Sequence, residues 1–247
     1  MQRRRHWRFI IGWSVQADEF GTMIGWRSNS AGEQGISAIA ITERSKSSSG
    51  RQVAKRALDL AIAGTLLLLL APLITVLAAL IMLGDVGPAI YRRRVVGLGG
   101  EFDAFKLRTM RMNADEILNG DPVLRGKFEV NYKLKDDPRV TRIGAILRKT
   151  SLDELPQLWN VLKGEMSMVG PRMITPAERA RYGEAAWVFD IMRPGLTGYW
   201  QVEGRQEVTY EQRINMDLFY LRNWSIGMDL KILLKTPWRV ICGVGAY

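Results

Sequence analysis

Between Asp59 and Asp85 the chain runs for 25 residues without one charged side chain, and no other feature constrains the fold as strongly. Residues 66–70 are five consecutive leucines, and residues 73–83 are almost wholly apolar. About 20 apolar residues suffice for a helix to cross the hydrocarbon core of a bilayer, so the segment is long enough to do so. Pro72 stands in its middle, where a missing N–H breaks the helical ladder. Lys55 and Arg56 precede the segment and Arg92, Arg93 and Arg94 follow it, so the positive-inside tendency does not tell its ends apart. We therefore expect a re-entrant or hairpin helix over residues 57–83, with both ends cytoplasmic. The alternatives are a buried helix of a soluble core and a simple spanning helix.

The rest of the chain is long enough for one sizeable core. With 247 residues and 47% hydrophobic content, one domain with appendages is expected. Lys and Arg number 35 against 25 Asp and Glu, and the net charge of +10 suits a polyanionic partner: nucleic acid, anionic lipid or a phosphorylated substrate. Cys242 is the single cysteine and His6 the single histidine. Internal disulfides, cysteine clusters, zinc sites and histidine triads are thereby disfavoured, which pushes any chemistry toward carboxylates.

Residues 1–50 read as a disordered basic extension ending in Ser47-Ser48-Ser49-Gly50, and a secretory signal is not expected because the apolar piece 9–15 is short and runs into Asp18-Glu19. Residues 51–85 hold the membrane-associated helix, and 86–247 read as a helix-rich α/β or α+β domain. Short strands are expected near residues 89–91 and 102–107, on either side of a glycine-rich turn at 97–100. Helical patterns occupy 113–118, 156–162, 176–181, 210–223 and 225–240.

The densest chemical signal lies between Leu147 and Leu158, where Arg148-Lys149 is followed by Asp153-Glu154 and Pro156. Ser151 to Glu154 fits a capping box, which is the bland reading. Pro156 counts against it, because a helix beginning nearer Pro156 would leave both acids at its mouth. There one carboxylate can attack phosphorus while the other holds a metal that bridges diphosphate oxygens. Arg148 is expected to lower the pKa of Asp153 and to offer paired donors to phosphate. Lys106 to Met110 and Gly170-Pro171-Arg172 are further basic clusters. Arg193 to Gln201, followed by Gly204-Arg205, has the glycine density of a loop whose backbone approaches something closely.

Residues 106–110, 151–157, 164–172 and 193–201, in this order, together resemble the bacterial sugar transferase family, the monotopic polyprenyl-phosphate phosphoglycosyl transferases, and the likeness extends over 51–247. The chain is similar to the short, exopolysaccharide-initiating members that transfer galactose or glucose 1-phosphate. The resemblance implies an aspartate nucleophile at Asp153, a magnesium-coordinating Glu154 and Arg148 near the phosphates. Lys106, Arg108, Arg172 and Arg205 carry over less firmly as phosphate or nucleotide contacts. Two departures stand out: Met173 where Gly-Pro-Arg is commonly followed by Pro, and Ala71-Pro72 in place of Ser-Pro.

The resemblance thus implies Mg²⁺ as cofactor, a UDP-sugar donor (UDP-galactose or UDP-glucose), undecaprenyl phosphate as acceptor and release of UMP, at the cytoplasmic face of the bacterial inner membrane. Anionic lipid is an expected partner and nucleic acid is not, since no binding motif accompanies the charge. A homo-oligomer is compatible with the sequence, which is silent on oligomeric state. The competing reading is a noncatalytic membrane-bound interaction protein of polysaccharide assembly.

Overall fold

The computed structural model describes residues 49–131, 134, 136–204 and 208–241. The expected basic extension, Arg205 and Cys242 therefore lie outside the described residues, apart from the last two positions of the extension.

The apolar segment is a single helix, α1 (Ser49–Gly84), which continues through Pro72. At 1.5 Å per residue it is about 54 Å long. The Thr75 hydroxyl donates to the Ala71 carbonyl (2.9 Å), one residue before the proline. Its middle is bare, with Leu68 78% and Leu69 68% exposed.

Both ends of α1, by contrast, are docked on the rest of the chain. Near the start, Arg56 donates to the carbonyls of Val161 (2.7 Å) and Leu162 (3.0 Å). Asp59 accepts from the Ser167 hydroxyl (2.8 Å) and the Met168 amide (3.0 Å). Near its end, Ile81 is buried with Ala89, Leu107 and Leu147, and Ile74 and Leu77 pack on the same cluster.

Two antiparallel strands follow, β1 (Ile90–Gly97) and β2 (Gly100–Leu107), paired from Ile90 opposite Leu107 to Gly97 opposite Gly100. The glycine-rich segment read as a turn is the hairpin loop. Short helices α2 (Ala114–Gly120), α3 (Pro122–Asn131) and α4 (Arg142–Lys149) lead to α5 (Gln157–Lys163). Then come β3 (Ser167–Val169), α6 (Pro176–Tyr182), α7 (Val188–Ile191), β4 (Gly195–Thr197), α8 (Tyr199–Glu203), α9 (Tyr210–Asn223) and α10 (Ile226–Ile241). Among the described residues the fold is helix-rich with two small sheets, as the helical patterns suggested, and β3 pairs with β4 in parallel. The main core joins Ala63 of α1 to Leu158, Val161, Met166, Val169, Val202, Tyr220 and Ile232.

The glycine-rich segment after Arg193 makes the close approach its composition implied, as strand β4 and helix α8 and not as a plain loop. A Cβ on Gly195 would stand 2.1 Å from the Gly170 nitrogen, and one on Gly170 would stand 2.5 Å from the Arg193 carbonyl oxygen. Only hydrogen on both carbons lets these backbones touch, and that contact anchors the Gly170-Pro171-Arg172 turn beside β4.

Candidate active site at the mouth of α5

Helix α5 starts at Gln157 with Pro156 as its N-cap, so Asp153 and Glu154 lie just ahead of it in a 3-10 turn, Leu152–Glu154. The capping-box reading is not realised: Ser151 makes no side-chain cap bond and adopts a left-handed conformation, φ 54°. Left-handed backbone is costly for a residue with a Cβ, by about 1 kcal/mol or more. Here it terminates α4 and turns the chain back within two residues, setting Asp153 into the interior.

Three long-range contacts bring basic groups to this turn. Asn160 of α5 accepts from the Phe105 amide (3.0 Å) and donates to the Asp103 carbonyl (2.8 Å), which fixes α5 against β2. The next residue along β2 is Lys106, and its ammonium donates to Glu154 Oε1 at 2.6 Å and lies 3.7 Å from Asp153 Oδ2. On the other flank, a Cβ at Gly144 would fall 2.0 Å from the Thr109 carbonyl oxygen, so glycine alone allows α4 to pack on that backbone. One turn later Arg148 Nε donates to the Thr109 hydroxyl (2.9 Å).

The two carboxylates differ in environment. Burial pushes the Asp153 carboxyl above its usual range; Lys106 and, less strongly, Arg148 pull it down, Glu154 pushes it up, and burial prevails. The expectation that Arg148 would leave Asp153 with a lowered pKa is thus corrected, because desolvation outweighs the neighbouring guanidinium. Burial acts to raise Glu154 too, yet Lys106, Arg172 and Arg93 together hold it below the usual carboxylate range. One acid is destabilised as an anion and its neighbour is held ionised.

The remaining basic residues divide. Arg172 is near enough for its charge to act on Glu154, and its guanidinium carbon lies 5.4 Å from the centre of the Trp200 ring. Arg108, expected as a phosphate contact, is instead buried against the end of α1. Its Nη1 donates to Asp85 Oδ2 (2.8 Å), and its other terminal nitrogen donates to the Asp85 carbonyl. Arg193 donates to the Gly164 carbonyl (2.6 Å) and has a structural part. Thr109, Asn160 and Arg93 belong to the site's support and had no distinguishing sequence signal; Arg93 could have been separated from Arg92 and Arg94 by strand alternation alone.

Among the described residues there is no group of three or more His, Cys, Asp or Glu able to hold a metal ion. The donor set here is two neighbouring carboxylates with a positive charge already seated against both. Such hard oxygen donors, with phosphate oxygens completing the shell, match the habits of Mg²⁺.

The described chain thus joins a helix long and apolar enough to cross a membrane, docked at both ends, to a small helix-rich domain with adjacent acids at a helix mouth among Lys and Arg. The sequence profile of the bacterial sugar transferase family matches residues 50–243, and the chain belongs to that family. Over 198 residues it is 46% identical to the UDP-galactose-lipid carrier transferase of Erwinia amylovora, a match covering 78% of this chain and 41% of that protein. It is 43% identical over 200 residues to the exopolysaccharide production protein ExoY of Rhizobium meliloti, covering 79% of this chain and 88% of that one. A UDP-glucose:undecaprenyl-phosphate glucose-1-phosphate transferase of Caulobacter vibrioides is 42% identical over 203 residues, covering 78% and 72%. The chain thus spans about two-fifths of the Erwinia protein and most of the other two.

Proposed function

We propose that this chain transfers a sugar 1-phosphate from a UDP-sugar to undecaprenyl phosphate, releasing UMP, as the opening step of surface polysaccharide assembly. The observation that carries the reading is the seating of Lys106 against both Asp153 and Glu154 at the mouth of α5. Relatives named for UDP-galactose and UDP-glucose chemistry support these two donors as the class to test. The noncatalytic alternative leaves a buried, partly desolvated carboxylate beside two cations without a purpose.

The Asp153 carboxylate attacks the phosphorus that carries the sugar. The bond from that phosphorus to the bridging oxygen breaks, and UMP leaves with the electron pair. The acceptor's phosphate oxygen then attacks the same phosphorus, restoring the Asp153 carboxylate and forming a lipid diphosphate sugar. Lys106 and Arg148 neutralise the attacking carboxylate and the phosphate oxygens as they crowd together. Glu154, kept ionised, would hold Mg²⁺, which supplies Lewis-acid neutralisation of diphosphate charge when bound.

Membrane attachment is supported by the docking of α1. Asp59 and Ile81 are 22 residues apart, about 33 Å of helix, and both are buried against the same domain. A spanning helix would need partners of one domain on opposite faces of the bilayer, so a re-entrant or surface-lying α1 is the arrangement we favour. Helix α10 adds an apolar face, Leu230, Leu234 and Trp238 at four-residue spacing, with Leu234 80% and Trp238 65% exposed. Exposed Leu and Trp on α10 suit an interfacial position, with Lys231 and Arg239 on the same helix available to anionic lipid. A site held at the cytoplasmic surface would meet a soluble donor and a lipid-tethered phosphate together.

The test uses donor labelled in its sugar phosphate, without acceptor: label should remain on a peptide containing Asp153, and UMP release should need Mg²⁺. Asp153→Asn should abolish turnover, and Glu154→Gln should cripple it with the fold intact. Near-normal turnover in both variants would exclude this site.

A further inference from the structure

Seven buried side-chain polar atoms lack a hydrogen-bond partner among the described residues, and four of them lie on α8 and α9: Trp200 Nε1, Gln201 Oε1, Arg213 Nε and Asp217 Oδ1. Buried polar atoms are nearly always satisfied, so four on one pair of packed helices call for a reason. Two of the four, Trp200 and Arg213, meet at one indole. The guanidinium carbon of Arg172 is 5.4 Å and that of Arg213 is 4.7 Å from the Trp200 ring centre. Gln201 Oε1 is beside the Gly170 turn as well, 3.3 Å from where a Cβ on Gly198 would stand.

Two guanidiniums on one ring repel each other, and neither forms an ion pair with a carboxylate among the described residues. Asp217 faces both, but burial raises its pKa to about 7, against the pull of the Tyr182 hydroxyl (3.1 Å), Arg172 and Arg213. Asp217 is therefore only partly charged at neutral pH, and Glu154, whose charge also meets Arg172, is already paired with Lys106, so the two arginines keep a surplus of positive charge. Arg172 connects this surplus to the active site, since its charge also acts on Glu154. Unsatisfied N–H donors, an aromatic face and unmatched positive charge are together the complement of a nucleotide phosphate.

We propose that Trp200 and Arg213, with Arg172, form the subsite for the nucleoside-phosphate half of the donor, and that Arg213 binds the phosphate that departs as the nucleoside monophosphate. This rests on the transferase reading and assigns residues to one half of its substrate. When the bond between the sugar-bearing phosphorus and the bridging oxygen breaks, the electron pair stays on the leaving monophosphate. Arg172 and Arg213 are placed to take up that charge.

The experiment is calorimetric titration of UMP into the full-length protein in detergent, with steady-state kinetics alongside. Arg213→Gln should weaken UMP binding at least tenfold and raise the KM for the UDP-sugar by a similar factor, leaving the KM for the lipid acceptor within about twofold. Trp200→Phe, which keeps an aromatic face but loses the unsatisfied N–H, should weaken UMP binding about threefold or more. Should Arg213→Gln fail to fold, Arg213→Lys is measured in its place, and a threefold or greater loss of UMP affinity is expected because the paired donors are gone. Unchanged UMP affinity in the Arg213 variant that folds overturns this inference while leaving the transferase reading standing. A wild-type protein that neither binds UMP nor turns over a UDP-sugar overturns both.

Discussion

Lys55, in the second turn of α1, donates to Asp229 of α10 across 2.7 Å, although 174 residues separate them. Asp229 is fully buried and also accepts from the Tyr220 hydroxyl (2.7 Å) and the Trp224 indole (3.1 Å). The Lys55 ammonium further donates to the Val169 carbonyl (3.0 Å). Helix α1, strand β3 and the C-terminal helices are thereby held at one point.

Removing one partner of such a buried pair leaves the other charge uncompensated, a loss of about 3–5 kcal/mol. Asp229→Leu should lower the unfolding free energy in detergent by that amount, and Lys55→Met with Asp229→Leu should recover part of it. A single-variant loss below about 1 kcal/mol in urea unfolding would show that the pair does not hold α1.

Lys106 draws down both Asp153 and Glu154. Its removal must therefore raise both pKa values. Since the attacking carboxylate has to be ionised, the acidic limb of kcat/KM in Lys106→Met should move to higher pH, and Lys106→Arg should move it less. A pH–rate profile with an unmoved acidic limb would separate Lys106 from the ionisation of Asp153.

Burial raises the Asp217 carboxyl to about 7, with Tyr182, Arg172 and Arg213 pulling it down and Tyr210 packed nearby on Tyr182. Below the unfolded pKa, near 4, both states are protonated and nothing is lost. Between about 4 and 7 the unfolded chain gives up its proton while the folded one keeps it, so stability falls as pH rises and levels off above 7. The span corresponds to something on the order of 4 kcal/mol. Asp217→Asn cannot titrate, so its unfolding free energy relative to wild type should climb by several kcal/mol between pH 4.5 and 8. A constant difference across that range would show Asp217 to be ionised throughout.

For topology, cysteines at Arg51 and Leu98 in a Cys242→Ser background should both be shielded from a membrane-impermeant thiol reagent in intact cells. Pro72→Leu, which restores the missing N–H, should favour a straight helix and expose the Arg51 position in part of the population. Labelling of Arg51→Cys from outside with Pro72 in place would mean that α1 spans.

What the sequence by itself determined was whatever depends on neighbours along the chain. The uncharged run between Asp59 and Asp85 marked an apolar helical segment, though the break expected at Pro72 is not realised, and the 3.6-residue patterns marked α5, α6, α9 and α10 to within a residue or two. Pro156 counted against a capping box and pointed to a helix that starts beside it, with Asp153 and Glu154 at its mouth, because its ring and missing N–H are tolerated at a helix start and not further in. Helices α3 and α4 and the β3–β4 pair were not marked: α4 is short, and two three-residue strands carry too few side chains for an alternation.

The tertiary structure decided everything that pairs residues distant in sequence. Lys106 and Arg108 are two residues apart in one basic cluster, with nothing local to rank them. Packing by Asn160 turns the first onto Glu154, while the second closes on Asp85. Arg213 looks like any arginine on a helix surface until α8 sets Trp200 beside it. The pKa of Asp153 is likewise absent from its flanking residues, since burial, a property of the whole packed domain, outweighs the charge of the guanidinium five positions away.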